Sequence, residues 1–357
     1  MTKRINVLLG RIATALMFVA AATAPLSMAQ AQDADDFESA FDQAFAPGKP
    51  NRSPAPAAPV QRLVAVNPAY SRAAPRNWFE SQVAQLADAS QGRIGVAAMD
   101  LATGRSIGVL SEQPFPMAST SKIAIAATYL DMVDAGRFKL SDQFPMMVPV
   151  PSRKFDGPVA PVRPGKYYAA IDLIDLSLTR SDNQATDALL AAVGGPQAVN
   201  AWLRKSGISG MRIDRDIATL VRDDGAVNPA TTIDARDSAT PASMVRLLTG
   251  LYQGQWLSAE SRDVLLGTMQ RCVTGKTRIP ALLPGDVRVA HKTGTLSNTA
   301  SDVGILEAPD GRAIAVAIYV TGQGSKPARS TRIAEIARTL YDNYQYEAVR
   351  QRQANAR

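Results

Sequence analysis

Residues 287–294, Val287-Arg288-Val289-Ala290-His291-Lys292-Thr293-Gly294, decide how the chain must be arranged. Residues 287–291 read as a strand that returns after a stretch, about 140–284, whose pattern is mostly helical with irregular loops. Two more strands follow, 302–306 and 313–320, on either side of the turn Pro309-Asp310-Gly311. The text before the helical stretch also holds strands, 94–99 and about 107–110, joined through Ala102-Thr103-Gly104. Helices flank both sets. Phe79, Val83 and Leu86 recur at helical spacing after Asn77, and Ile333, Ile336, Ala337, Leu340 and Tyr344 mark one face of a closing helix. Strands that stop and resume predict one sheet built from both chain ends, with the helical middle inserted beside it. Motifs at the joins then face a cleft between the two parts, where sites commonly lie.

Three short motifs sit at those joins: Ser119-Thr120-Ser121-Lys122, Ser181-Asp182-Asn183 and Lys292-Thr293-Gly294. Residues three apart share a helix face. Lys122 therefore falls beside Ser119 where a helix over 122–133 begins, and the helix start offers unpaired N–H groups near the hydroxyl. Nucleophile, candidate base and oxyanion donor thus come together. A lysine acts as a base only when neutral, a form favoured by burial and by a second cation such as Lys292. The single histidine argues the same way by exclusion. A Ser-His-Asp mechanism would need His291, but neighbouring strand residues face opposite sides. With Lys292 toward the cleft, His291 points away and reads as structural. One His and one Cys leave no expectation of a metal site, and Cys272 reads as a packed small side chain with no disulfide partner. Each motif alone has a bland reading. Ser181 and Asn183 can cap the helix that follows, and Lys292-Thr293-Gly294 can end a strand. Their joint order is the specific signal.

The flanking text extends that signal: FPMASTSK (115–122), SDNQATDALLAAVGG (181–195), RIDRD (212–216), RDSATP (236–241) and LLPGDVRVAHKTGTL (282–296). On these residues the chain from about 77 to 346 resembles the class A β-lactamases, a family of penicillin-recognising serine hydrolases. The resemblance implies an α/β, β-lactamase-like fold over 77–348: an antiparallel sheet flanked by helices, plus an inserted, mainly helical subdomain. It implies that Ser119 attacks a carbonyl, Lys122 takes or relays its proton, and Ser181 passes a proton to the departing nitrogen. Asn183 would bind the substrate's side-chain amide. Lys292, Thr293, Gly294 and Thr295 would receive its carboxylate, and the N–H groups of Ser119 and Thr295 would form the oxyanion hole. Arg278 stands where some members place an extra carboxylate-binding arginine, and Asp182 where a structural residue is expected. The implied partner is a β-lactam or a D-Ala-D-Ala-type small substrate, met by a monomer without cofactor or metal.

One part of the family pattern is missing. Arg212-Ile213-Asp214-Arg215 opens the expected loop, and Arg215 and Asp237 match the pair that closes it. The loop glutamate that activates water is absent. Ile217 occupies its place, Val221 stands where an asparagine is usual, and no glutamate lies between Arg215 and Asp237. An ester of Ser119 needs a positioned base before water can remove it. Asp216, beside the expected position, is the first substitute; Asp223, Asp224 and Asp234 are others, and all four also read as solvated loop acids. Three functions therefore stay open: a β-lactamase with an altered loop, a D,D-peptidase acting on peptidoglycan, and a sensor that is acylated once.

The remaining text concerns address and partners. Residues 1–31 carry Lys3, Arg4 and Arg11, an apolar run over 12–24 and the small residues Ser27-Met28-Ala29-Gln30-Ala31. That is a secretory signal pattern, with cleavage expected after Ala29 or Ala31 and a periplasmic or secreted product. The apolar run is short for a membrane anchor. Residues 32–76 read as a linker, acidic and then Pro/Ala-rich, in which 63–66 could pair locally. The formal charge of +7 is mild over 357 residues and includes the three leader cations. No basic block or stripe supports a nucleic-acid partner.

Overall fold

Small and β-branched residues fill five strands, four of them long, whose alternation puts two different surfaces on one sheet. In chain order they are β1 (Gly92–Asp100), β2 (Ser106–Val109), β3 (Arg288–Leu296), β4 (Thr299–Glu307) and β5 (Ala313–Gly322). In space the order is β3-β4-β5-β1-β2, antiparallel throughout. Both chain ends thus share the sheet, because β5 pairs with β1 (Ala97 opposite Ala317). This is a computed structural model, and it describes residues 64–65, 78–154 and 156–355.

One sheet face carries Ile94, Val96, Ala98, Val316, Ile318 and Val320, all buried under two terminal helices. These are α1 (Trp78–Leu86) and, at the chain's far end, the long helix Lys326–Asn355. Their seam holds Phe79 edge-on to Tyr344, with ring centroids 5.0 Å apart. The opposite face, with Ala97, Ala315, Ala317 and Tyr319, meets the helical part of the molecule. At its centre is α2 (Lys122–Asp134), buried at every residue from Lys122 to Leu130. A helix apolar nearly all round belongs in a core. Around it pack α3 (Ala170–Thr179), α4 (Asn183–Val193), α5 (Gly195–Lys205) and, later in the chain, the helix Ala259–Gln270.

The middle is less purely helical than its text implies. Gln143–Pro149 and Val162–Ala169 form an antiparallel pair. Pro145 and Pro149 explain this, since proline in a helix interior removes a donor and clashes with the preceding turn. Phe115–Pro116, Ser238–Ala239 and Met211–Arg212 form a small sheet that leads into the Ser119 segment. Val64–Ala65 pairs with Thr232–Ile233, a long-range pairing and not the local one expected of 63–66. Residues 1–31, read above as a signal pattern, and the rest of the segment read as a linker lie outside the described residues. Among the described residues no helix is long and apolar enough to cross a membrane.

Gly95 sits opposite Tyr319, and a Cβ there would lie 2.3 Å from the buried Phe115 ring. Gly95→Ala is therefore expected to lower stability by about 1–3 kcal/mol through overpacking. Urea unfolding checks this; an unchanged midpoint would mean that the sheet and the Phe115 segment are not in close contact.

Candidate active site

The Ser119 segment is pinned from both sides. Ser119 lies in a tight 3-10 turn, Ala118–Ser121, and α2 starts at Lys122. Ala118 has a φ of +48°, a left-handed conformation uncommon for a residue with a Cβ and one that collects at functional sites. Just before it, the Met117 N–H donates to the Asp237 carbonyl at 3.0 Å. On the other side β3 presses in through Gly294. A Cβ on Gly294 would lie 2.6 Å from the Met117 carbonyl oxygen and 3.1 Å from the Ala118 Cβ. The glycine of Lys292-Thr293-Gly294 is thus a close-approach residue.

Ser181 is the meeting point of the three motifs. Its φ of +60° turns the chain sharply, and Asp182 then caps α4 by accepting the Ala185 N–H at 2.8 Å. The Lys122 ammonium donates to the Ser181 carbonyl, to Ser181 Oγ at 3.1 Å and to Asn183 Oδ1 at 2.6 Å. Lys292 donates to the same Ser181 Oγ at 2.9 Å and to the Thr293 carbonyl at 3.0 Å. Both lysines are fully buried. A hydroxyl has two lone pairs and one proton. With both lone pairs facing amines, the Ser181 proton is left to donate.

Ser119, Ser181, Asn183 and Thr295 line one open cleft. Arg180 adds a positive charge. The facing wall comes from α6 (Ile217–Arg222), through Ile217, Leu220 and Val221. A nucleophile-bearing turn, buried amines and a hydrogen-bonding hydroxyl on one cleft can attack a carbonyl and return a proton to a leaving group.

Several expected residues stand elsewhere. Thr293 is buried and its hydroxyl pairs with Thr274 Oγ1 at 2.6 Å. Arg278 is fully buried behind β3. Its guanidinium donates to the Gly294 carbonyl (3.1 Å), the Ser301 carbonyl (2.9 Å) and Thr295 Oγ1 (2.7 Å), so it touches the cleft lining only through Thr295. Asp216 caps α6, accepting the Thr219 N–H at 2.7 Å, and does not line the cleft, because a residue at the cap directs its carboxylate back along the helix. Asp223 is paired with Arg215 and Arg222, and Asp234 with Arg236. Of the four loop acids only Asp224 lines the cleft. The loop is closed as expected, by Arg215 Nε to Asp237 Oδ2 at 2.6 Å.

His291 faces away from Lys292, toward Asp302 on β4, with Nδ1 2.9 Å from Oδ1. Burial opposes a charge on the ring, but the Asp302 carboxylate lifts it to about 10, so His291 is a buried ion-pair partner. The Cys272 sulfur lies 3.2 Å from Thr274 Oγ1.

Asp187 escaped sequence reasoning. It lies one turn past Asn183 on α4, 5% exposed, and its carboxylate accepts the Ile217 N–H at 2.7 Å and the Ala218 N–H at 2.9 Å. It therefore anchors the start of α6 beneath the cleft wall. The available signal was an acid inside the apolar run Ala185–Val193. Burial, then the nearby Asp216 charge, raises its carboxyl to about 7 against the pull of the two N–H groups and Lys122.

A model of the β-lactamase enzyme family matches residues 78–344. Among solved structures, the reconstructed class A β-lactamase of the last common ancestor of Gram-negative bacteria is 36% identical. That match covers 75% of this chain and 100% of the other, with a TM-score of 0.64. A β-lactamase from Chitinophaga pinensis is 27% identical over 75% of this chain and 100% of its own, with a TM-score of 0.66.

Because Asp187 has a raised folded-state pKa, its contribution to stability is fully present below the unfolded carboxylate value. It is lost as pH rises from about 4 to about 7. The melting temperature of wild type minus that of Asp187→Asn should therefore fall as pH rises across that window. Parallel melting curves across that range would show that Asp187 does not titrate there.

Proposed function

The chain belongs to the β-lactamase enzyme family, and from that membership and the cleft we propose that it is an exported serine hydrolase opening β-lactam rings through an acyl-Ser119 intermediate. The observation that carries this reading is the double contact of Lys122 and Lys292 with Ser181 Oγ beside Ser119. In the proposed sequence Lys122 first gives up a proton to solvent; Ser119 Oγ then bonds to the lactam carbonyl carbon while its own proton passes to the neutral Lys122 amine. The C–N bond then breaks, and the ring nitrogen takes a proton from Ser181, whose oxygen is resupplied by the flanking amines. Oxyanion charge is met by the N–H groups of Ser119 and Thr295. The cationic side of the cleft suits the substrate carboxylate, with Lys292 behind Ser181 and Arg278 acting through Thr295. The leader pattern of residues 1–31 supports an address outside the cytoplasm.

Water must then remove the acyl group, and one observation favours a second reading in which this step is slow. The loop wall opposite Ser119 is Ile217, Leu220 and Val221, all apolar. Asp216 is committed to a helix cap, and Asp224 is bonded to Ser297. A long-lived acyl-enzyme suits a D,D-peptidase inhibited by β-lactams, or a sensor acylated once.

A chromogenic β-lactam read together with intact mass separates these. A stoichiometric burst with an adduct on Ser119 is expected, and sustained release afterwards marks a β-lactamase. A burst that stops, with the adduct persisting, marks the slow reading. Ser119→Ala should carry no adduct; labelling that survives it would overturn the assignment.

If the apolar wall limits hydrolysis, a carboxylate placed there should relieve it. Ile217→Glu is expected to raise the steady-state rate by roughly 100-fold, the lower end of general-base contributions, with the burst amplitude unchanged. An equal rate in both proteins would mean that water activation is not the limiting step.

A further inference from the structure

Behind the cleft, one buried carboxylate ties together two segments that the reaction steps leave without a role. Asp302 lies on β4 and is fully buried. His291 Nδ1 lies 2.9 and 3.0 Å from its two oxygens, and Oδ2 also accepts the Ile279 N–H at 3.1 Å. His291 directly precedes Lys292 on β3, and Ile279 directly follows Arg278. The two cations proposed above to serve the substrate carboxylate are thus each one residue from a group bonded to the same acid. The strand register explains the first bond. His291 stands opposite Gly304, and Asp302 is two residues from Gly304, so the pair is a diagonal contact on one sheet face. Gly304 lets the strands lie close there: a Cβ at that position would be 2.8 Å from both His291 Cα and His291 Cβ.

Such a staple matters because β3 is the edge of the sheet, with β4 as its one strand neighbour. Successive strand residues leave opposite faces, so drawing His291 onto β4 sets the direction in which Lys292 leaves toward the cleft. The Ile279 bond acts on the segment behind β3. There Val273 N–H donates to the Thr179 carbonyl at 3.0 Å, two residues before Ser181, and Thr274 Oγ1 lies 2.6 Å from Thr293 Oγ1. Arg278 then reaches the Gly294 and Ser301 carbonyls and the Thr295 hydroxyl. Residues 273–279 thus form a splint from the Ser181 turn to β3, and Asp302 anchors its far end. Bonds to an ionised carboxylate are about twice as strong as neutral ones, and this one is shielded from water. Neither His291 nor Asp302 lines the cleft.

We propose that His291 and Asp302 are positioning residues for the cationic side of the cleft, a buried pair that orients Lys292 through β3 and Arg278 through Ile279 to hold the substrate carboxylate. The inference rests on the proposed acylation of Ser119. The pair touches no reacting atom, so it acts on how tightly an anion is held and not on bond making.

The test compares a penicillin bearing its free carboxylate with the methyl ester of the same compound. Second-order labelling of Ser119 is followed by intact mass for both, and the half-saturating concentration is measured for the acid. Wild type should favour the acid. His291→Ala removes the donor to Asp302, and Asp302→Asn keeps the volume but leaves one acceptor oxygen for two donors. In both, the acid-over-ester preference should fall by about tenfold, the scale of one lost hydrogen bond to a charged group. The loss should appear as a higher half-saturating concentration for the acid, with the ester rate nearly constant. His291→Asn puts an amide N–H near the place of Nδ1 and should restore the wild-type preference. The near-isosteric Asp302→Asn keeps the comparison readable if His291→Ala does not fold. An unchanged preference in Asp302→Asn would sink the inference. Equal losses on acid and ester would do the same, as the mark of a merely structural pair, and so would a His291→Asn protein that has lost the preference. No adduct on wild type with either compound would instead refute the acylation reading, and the positioning role with it.

Discussion

One hydroxyl holds the two halves of this molecule in register. Ser181 Oγ accepts from Lys122, at the head of the central helix, and from Lys292, on the edge strand of the sheet. Both amines are fully buried, and a buried cation without partners costs several kcal/mol. Each lysine therefore demands its oxygens, and the chain supplies them by holding Ser181 at a left-handed φ. The strain is local and the bonds it permits are long-range. Loss of that conformation would take a partner from both lysines at once.

Around that point the structure is built to bring backbone close to backbone. Gly294 lets β3 approach the Met117–Ala118 carbonyl and Cβ, which presses the Ser119 turn against the sheet. Arg278 ties the same strand from behind, using the Gly294 and Ser301 carbonyls and the Thr295 hydroxyl. A guanidinium presents several donors in a fixed fork, so one buried arginine can set the position of two adjacent strands. Its effect on the cleft is positional, passed through Thr295.

The other side of the cleft follows different physics. Asp187 and Asp216 each accept backbone N–H groups at the start of α6, and Arg215 with Asp237 closes the loop base. These acids hold the wall in place, while the wall itself presents Ile217, Leu220 and Val221. Apart from Asp224, this loop keeps its acids beneath the surface and turns apolar side chains onto it. Such a surface can exclude water from an ester, which is why the fate of the acyl group depends on this segment more than on the nucleophile.

How much was legible follows from how local each cause is. The five strands, the flanking helices and the three motifs were readable because periodicity, turn chemistry and S-x-x-K spacing act within a few residues. The opposite facings of His291 and Lys292 followed from strand alternation alone. The hairpin over 143–149 and 162–169 was missed because its proline and methionine content has weak periodicity and its pairing is non-local. Asp216 looked the best-placed loop acid by sequence neighbourhood, yet a cap geometry turned its carboxylate to Thr219. Asp187's hold on the start of α6 and the inward burial of Arg278 were hidden for the same reason, since both depend on partners distant in sequence. Sequence by itself determined which side chains exist and which short segments carry them. Only the tertiary structure decided which charges share a partner, because burial and hydrogen-bond satisfaction depend on segments that meet across more than a hundred residues of chain, as Ser181 and Lys292 do.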